Sequence, residues 1–282
     1  MPAEASHAVG GPRHALQALR AIVLREMVKF GQQTGRLVSA LVRPLLWLAV
    51  FAAGFRNVFG VAIVEPYDTY IPYDVYIAPG LIGMVLLFNG MQSSLAMVYD
   101  REMGLMRLLL TAPLPRWWLL LSKLLATALL SMGQALAFVF VAALLGTGLP
   151  FLGWSGVHAL FAMLAAALML AALGLLLSVY IKQLENFAGT MNFVIFPMYF
   201  LSTALYPLWK LEESGATWVW WAARLNPFTH AVEWIRFALY GKDPGIAPYI
   251  VLGTLALCFL LACWGYDPQR GFGGLAKRGG GG

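Results

Sequence analysis

Asn89, Gln92 and Ser93 stand at i, i+3 and i+4 in an otherwise apolar stretch, and Thr127, Ser131 and Gln134 form a similar stripe further on. Asn192 lies beside Phe193 and close to Phe196. These groups donate and accept hydrogen bonds but do not ionise near neutral pH. They can hold a polar ligand or pair one helix with another, and both readings stay open. Charge gathers elsewhere, in Tyr99-Asp100-Arg101-Glu102-Met103-Gly104-Leu105-Met106-Arg107, which leads through Leu108 and Leu109 to Pro113-Leu114-Pro115-Arg116. A charged cluster running into a short apolar helix and stopped by two prolines makes either a stiff lever or a cover for neighbouring helix ends.

Other chemistry is missing from the sequence. There is no G-x-x-x-x-G-K-[ST] loop or dinucleotide fingerprint with which to hold nucleoside phosphates. His7, His14, His158 and His230 are scattered without metal-ligand spacing, and no G-x-S-x-G elbow presents a serine nucleophile. Cys258 and Cys263, five residues apart in an apolar run, read as small apolar fillers.

What must position the polar groups follows from composition. The 282 residues are 60% hydrophobic and 11% charged, against about 45–50% apolar and about 25% charged in a soluble domain. That excludes an ordinary soluble enzyme and a disordered chain. The formal charge of +6 comes from 19 Lys and Arg that lie mostly between apolar blocks, which argues against a nucleic-acid partner.

Runs free of Asp, Glu, Lys and Arg over 75–99, 186–209 and 244–266 each fit one membrane helix. The uncharged run 124–181 is too long for one, and Gly146-Thr147-Gly148-Leu149-Pro150 supplies a turn near its middle. A first apolar block near 39–60 carries Arg43 and Arg56, which are expected to snorkel to opposite surfaces. The expectation is an all-α integral membrane protein with six spans, at about 39–60, 75–98, 120–145, 156–180, 186–206 and 246–265. Fourteen of the basic residues fall in segments on the side of the two termini and five on the other, which predicts both termini in the cytoplasm.

Outside the spans, residues 1–13 and the Gly-rich tail 267–282 read as flexible, and no signal peptide is evident. Residues 14–36 predict an amphipathic interfacial helix, with Leu16, Leu19, Val23, Met27 and Phe30 on one face and Arg25, Lys29, Gln32 and Arg36 on the other. Ile22 falls on the basic side. The segment 206–243, rich in Trp, predicts one or two interfacial or re-entrant helices, with Asn226-Pro227 marking a break between them. Apart from the arginines of the first span, no ionisable group other than His158 and phenols or thiols sits at depth, so energy for transport is expected from outside this chain.

Together these features resemble the type-2 permeases of ATP-binding-cassette exporters, over roughly residues 20–265. Three stretches carry the resemblance: Arg25-Glu26 with Arg43-Pro44-Leu45-Leu46-Trp47; Asp100-Arg101-Glu102 through Pro113-Leu114-Pro115-Arg116; and Leu205-Tyr206-Pro207-Leu208 with Leu225-Asn226-Pro227-Phe228-Thr229-His230 and Arg236. The resemblance implies a permease domain over 37–266 preceded by an elbow helix at 14–36. It also implies a coupling helix between spans two and three, and a separate cytosolic ATPase that carries ATP and Mg while this chain holds no cofactor. A second permease protomer, membrane lipid around it and a bacterial inner-membrane location are implied in the same way.

On that footing Arg25, Glu26, Asp100, Arg101, Glu102, Gly104, Arg107 and Glu185 are expected to couple to the ATPase. Asn89, Gln92, Ser93, Asn192, Phe193 and Phe196 are expected to line the path, with spans two and five facing each other across a dimer axis. A passive channel or a membrane scaffold without ATP coupling is the alternative.

Overall fold

The computed structural model describes residues 12–32, 34–55, 66–68, 71–103, 115–151, 153–181 and 183–266. Among these the chain forms ten helices: α1 (Pro12–Gly31), α2 (Thr34–Phe55), α3 (Tyr73–Glu102), α4 (Arg116–Leu144), α5 (Trp154–Tyr180), α6 (Leu184–Phe200), α7 (Leu208–Glu213), α8 (Thr217–Leu225), α9 (Pro227–Leu239) and α10 (Ala247–Gly265). Four contain stretches long and apolar enough to cross a membrane: Tyr73–Asp100, Trp117–Leu144, Trp154–Tyr180 and Ala247–Gly265. α2 offers the shorter apolar run Leu41–Val50, and α6 has 17 residues.

The long uncharged run divides at its glycines. α4 stops at Leu144, Gly146 and Gly148 take φ of 79° and 63°, and the Thr147 hydroxyl donates to Ala142 O. Only glycine adopts such angles without strain, so the turn is written into the residue types.

Helix limits differ from the sequence expectation in three places. The interfacial helix ends at Gly31, and Arg36 belongs to α2, because the glycines Gly31 and Gly35 flank the break. Span two runs on to Glu102, so Asp100, Arg101 and Glu102 ride on the last turn of α3. The fifth helix stops at Phe200, where Pro197 stands in its last turn, and residues 201–206 leave helical geometry.

α1 also turns a different face inward. Ile22 is its most buried side chain, whereas Leu16, Leu24, Met27 and Val28 are exposed. The stripe toward the bundle is Leu19, Ile22, Glu26 and Lys29, so an apolar and a charged residue share the inward face. The exposed apolar residues are free to meet lipid.

α5 is the centre of the molecule, packed by α3, α4, α9 and α10. Its inward positions are small: Ala159, Ala162, Ala166, Ala167 and Ala172 are fully buried. Small side chains let backbones approach, as at α3, where a methyl on Gly174 would lie 2.9 Å from Gly90 O and one on Gly90 would lie 3.1 Å from Ala171 N.

Both described termini lie at one end of the bundle. The Trp118 indole donates to Ala15 O at 2.9 Å, and Tyr266 packs with Met97, Leu120 and Val179. At the opposite end Gly80 meets the backbone of Ala204, where a Cβ would collide with the carbonyl. Gly80→Ala should therefore lower stability by about 1–3 kcal/mol, seen as a lower thermal midpoint of the purified protein. An unchanged midpoint would mean that α3 and the 201–206 segment can separate freely.

Candidate functional site

Three groups of side chains sit at three levels of the bundle. At the α1 end, Asp100 is only 2% exposed and draws in cations from two other helices. Lys123 Nζ of α4 lies 3.2 Å from its carboxylate, Arg25 Nη2 of α1 at 3.4 Å and Lys29 Nζ at 3.8 Å. Arg25 also reaches Glu26 at 2.8 Å. Burial works against the Arg25 charge, but the hydrogen bond and charge of Glu26, together with Asp100, outweigh it and raise its pKa above the ordinary arginine value.

Next to this cluster the Leu184 N–H donates to Glu102 Oε1 at 2.8 Å, joining the end of α3 to the start of α6. The structure thus brings Arg25, Glu26 and Asp100 together and ties Glu102 to the second inner turn, where Glu185 is exposed one residue further on. Gly104 and Arg107, with the coupling helix expected there, lie outside the described residues, as does the side chain of Arg101. Sequence reasoning gave Lys123 no site role and Lys29 only a place on the basic face of the interfacial helix. The signal was available for Lys123: a cation inside the third apolar span needs a partner.

The second group lies at mid-depth. Arg43, Phe88 and Asn192 are each near the midpoint of their helices, α2, α3 and α6. At about 1.5 Å per residue, Phe88 stands roughly 18 Å along the helix from Asp100. The Arg43 guanidinium lies over the Phe88 ring, 4.1 Å from its centroid. The guanidinium thus stands level with the middle of α3, where the sequence expectation had Arg43 reaching toward a membrane surface. The cost of about 2.5–3.5 kcal/mol for an arginine there is offset in part by the ring face.

Around Arg43 runs a groove. One cavity of about 250 Å³ is lined by Trp47, Met84, Phe88, Asn192, Phe196, Tyr199 and Phe200 as well as Arg43. A smaller one beside it shares Arg43, Met84 and Phe88, and adds Asn89 and Gln92. Among the described residues the Asn89 amide Nδ2 has no hydrogen-bond partner, and neither does either polar atom of the buried Gln134 side chain.

Asn89, Gln92, Asn192 and Phe196 thus meet in one groove. Ser93 lies apart from it, in a cleft shared with Glu26, Lys29, Lys123 and Thr127. Phe193 points outward, 79% exposed. α3 and α6 meet within a single chain, with the rings of Phe88 and Phe196 edge to face at 6.5 Å.

The third group clamps the far end. Residues 201–206 are not helical, yet Ser202, Thr203 and Ala204 are buried, so their backbone needs partners from side chains. Tyr73 donates to Leu205 O, Tyr76 to Thr203 O at 3.1 Å, and the Asn226 amide to both Met198 O and Leu201 O at 2.7 Å. Asn226 Oδ1 accepts from Phe228 N and so caps α9, with Pro227 in its first turn.

Arg236, 2% exposed, completes the clamp. It donates to Thr203 O at 2.8 Å and Glu233 at 2.6 Å, and its guanidinium covers the Tyr76 ring at 4.2 Å. Burial pushes the nearby Tyr67 and Tyr240 phenols up, so both stay neutral around the guanidinium. Among the described residues no group of three or more His, Cys, Asp or Glu could hold a metal.

Comparison with known proteins finds transport permeases. The chain is 28% identical over 229 residues to a putative transport permease, ycf38, of Porphyra purpurea, covering 81% of this chain and 76% of the relative. It is 24% identical over 264 residues to the inner membrane transport permease YadH of Escherichia coli (strain K12), covering 91% and 96%. A probable multidrug ABC transporter permease, YbhR, of the same organism is 27% identical over 182 residues, covering 64% and 47%. Residues 17–240 match the family described as ABC-2 type transporter, and so the chain belongs to that family: it is a multi-pass permease subunit, the membrane component of an ABC transporter, without ATPase activity of its own.

Proposed function

We propose that the chain crosses a bacterial inner membrane six times, with both termini in the cytoplasm, and exports its substrate by pairing with a second permease protomer and a separate ATPase. α2 and α6 supply the two further crossings. α2 leads away from the α1 end, and α6 starts beside Glu102 and finishes near the clamp. The Trp-bearing helices α7, α8 and α9 then lie at the outer face. The exposed face of α6, with Asn192, Phe193 and Phe196, suits a partner protomer, and the name of the YbhR relative favours drug-like amphipathic cargo.

One observation carries the coupling assignment: Asp100 and Glu102, on one turn of α3, together fasten α1, α4 and the start of α6. A motor that pushes on the residues that follow, Gly104 to Arg107, would move all of these at once, and Arg25, Glu26 and Glu185 border the same surface, with Arg101 on the same turn of α3. Glu102→Ala should lower ATPase turnover of the purified permease–ATPase complex several-fold while the complex still assembles. Assembly and turnover both at the parent level would overturn the assignment. Cargo accumulating uphill in vesicles that contain this chain alone would overturn the need for a separate motor.

A further inference from the structure

We infer that the groove at mid-depth binds amphiphiles with an anionic, phosphate-like head group, and that Arg43 is the residue that receives that head group. The inference rests on the proposed translocation role and adds to it the chemical class of the cargo.

Arg43 pairs with no carboxylate among the described residues, although Asp100, Glu233 and Asp68 all hold cations elsewhere. Its contact is the face of Phe88, which leaves guanidinium N–H groups for another acceptor. A cation kept inside a membrane protein without a counter-charge marks a site where negative charge arrives. A guanidinium fork fits phosphate and carboxylate oxygens in pairs of hydrogen bonds, which an ammonium would not do.

The surroundings select the rest of the ligand. Asn89 and Gln92 on α3 and Asn192 on α6 stand around the cation as uncharged donors, and the free Asn89 Nδ2 adds one more N–H. Trp47, Phe196 and Phe200 form an aromatic wall beside them. The 250 Å³ volume suits a head group and the first part of a chain. A bare anion would leave that wall unused, and a cationic drug would meet Arg43 as a like charge.

The test is equilibrium binding of radiolabelled dodecyl phosphate to the full-length chain in phosphatidylcholine nanodiscs, with dodecyltrimethylammonium and inorganic phosphate as competitors. Dodecyl phosphate should bind at least tenfold more tightly than the ammonium amphiphile, and millimolar inorganic phosphate should not displace it. Arg43→Gln should lose about tenfold, Arg43→Lys less, and Arg20→Gln on the exposed side of α1 nothing.

Asn192→Asp, at an exposed position that does not threaten folding, places a negative charge in the groove. It should weaken dodecyl phosphate binding and strengthen binding of the ammonium amphiphile. Equal affinity in the parent, Arg43→Gln and Asn192→Asp proteins overturns the inference, as does displacement by inorganic phosphate or a preference for the cation. If these fail while the permease–ATPase complex still turns over, only the cargo class is wrong. A chain that binds dodecyl phosphate through Arg43 but never engages an ATPase leaves the site standing and removes the transporter reading around it.

Discussion

Asp100→Ala should be among the most destabilising single substitutions in this chain, costing about 3–5 kcal/mol, because it strands Lys123 as a buried cation and releases Arg25 and Lys29. The expected result is a large drop in thermal midpoint and a poor yield of folded protein. The double substitution Asp100→Asn, Lys123→Met removes both charges and keeps their volumes, and should restore most of the loss. Coupling would stay impaired in the rescued protein, since α1 is still unfastened from α3. If Asp100→Ala melts with the parent protein, the cluster is a surface ion pair of little worth and the junction of α1, α3 and α4 has another origin.

Arg236→Met should produce a loss of similar size, about 3–5 kcal/mol, but at the opposite end. The substitution takes a donor from Thr203 O, leaves Glu233 without its cation and uncovers the Tyr76 ring. Hydrogen exchange should rise first at residues 201–206, which have no helix of their own to hold them. Arg236→Lys should recover part of the stability at most, since one ammonium cannot reproduce the two-sided fork onto Glu233 and Thr203. Exchange at 201–206 unchanged in Arg236→Met would show that Tyr73, Tyr76 and Asn226 suffice.

Length and hydropathy made the four long spans and the turn at Gly146–Pro150 readable, since neither depends on tertiary partners. Asn226-Pro227 was readable as a break for the same local reason, and its second duty, holding Met198 and Leu201, was not. Lys123 escaped notice because its partner Asp100 lies 23 residues away on another helix, and spacing alone does not bring them together. The stacking of Arg43 on Phe88 was hidden for the same reason, since it depends on which helix packs beside α2. On α1, periodicity sorted apolar from basic residues. The inward face was instead chosen by Asp100, which draws Arg25 and Lys29, and with them Ile22, toward the bundle.

The alanine-and-glycine seam between α3 and α5 limits how the protein can change shape. Where the backbones approach at Gly90 and Gly174 only the small Ser94 side chain stands beside them, so sliding there would open a void along the seam. That pair must travel as one rigid body. α6 packs principally on α3 and leaves its other face bare. Tied at its start to Glu102 and at its last turn to Asn226, it can turn about its own axis against this mast but not swing away from it.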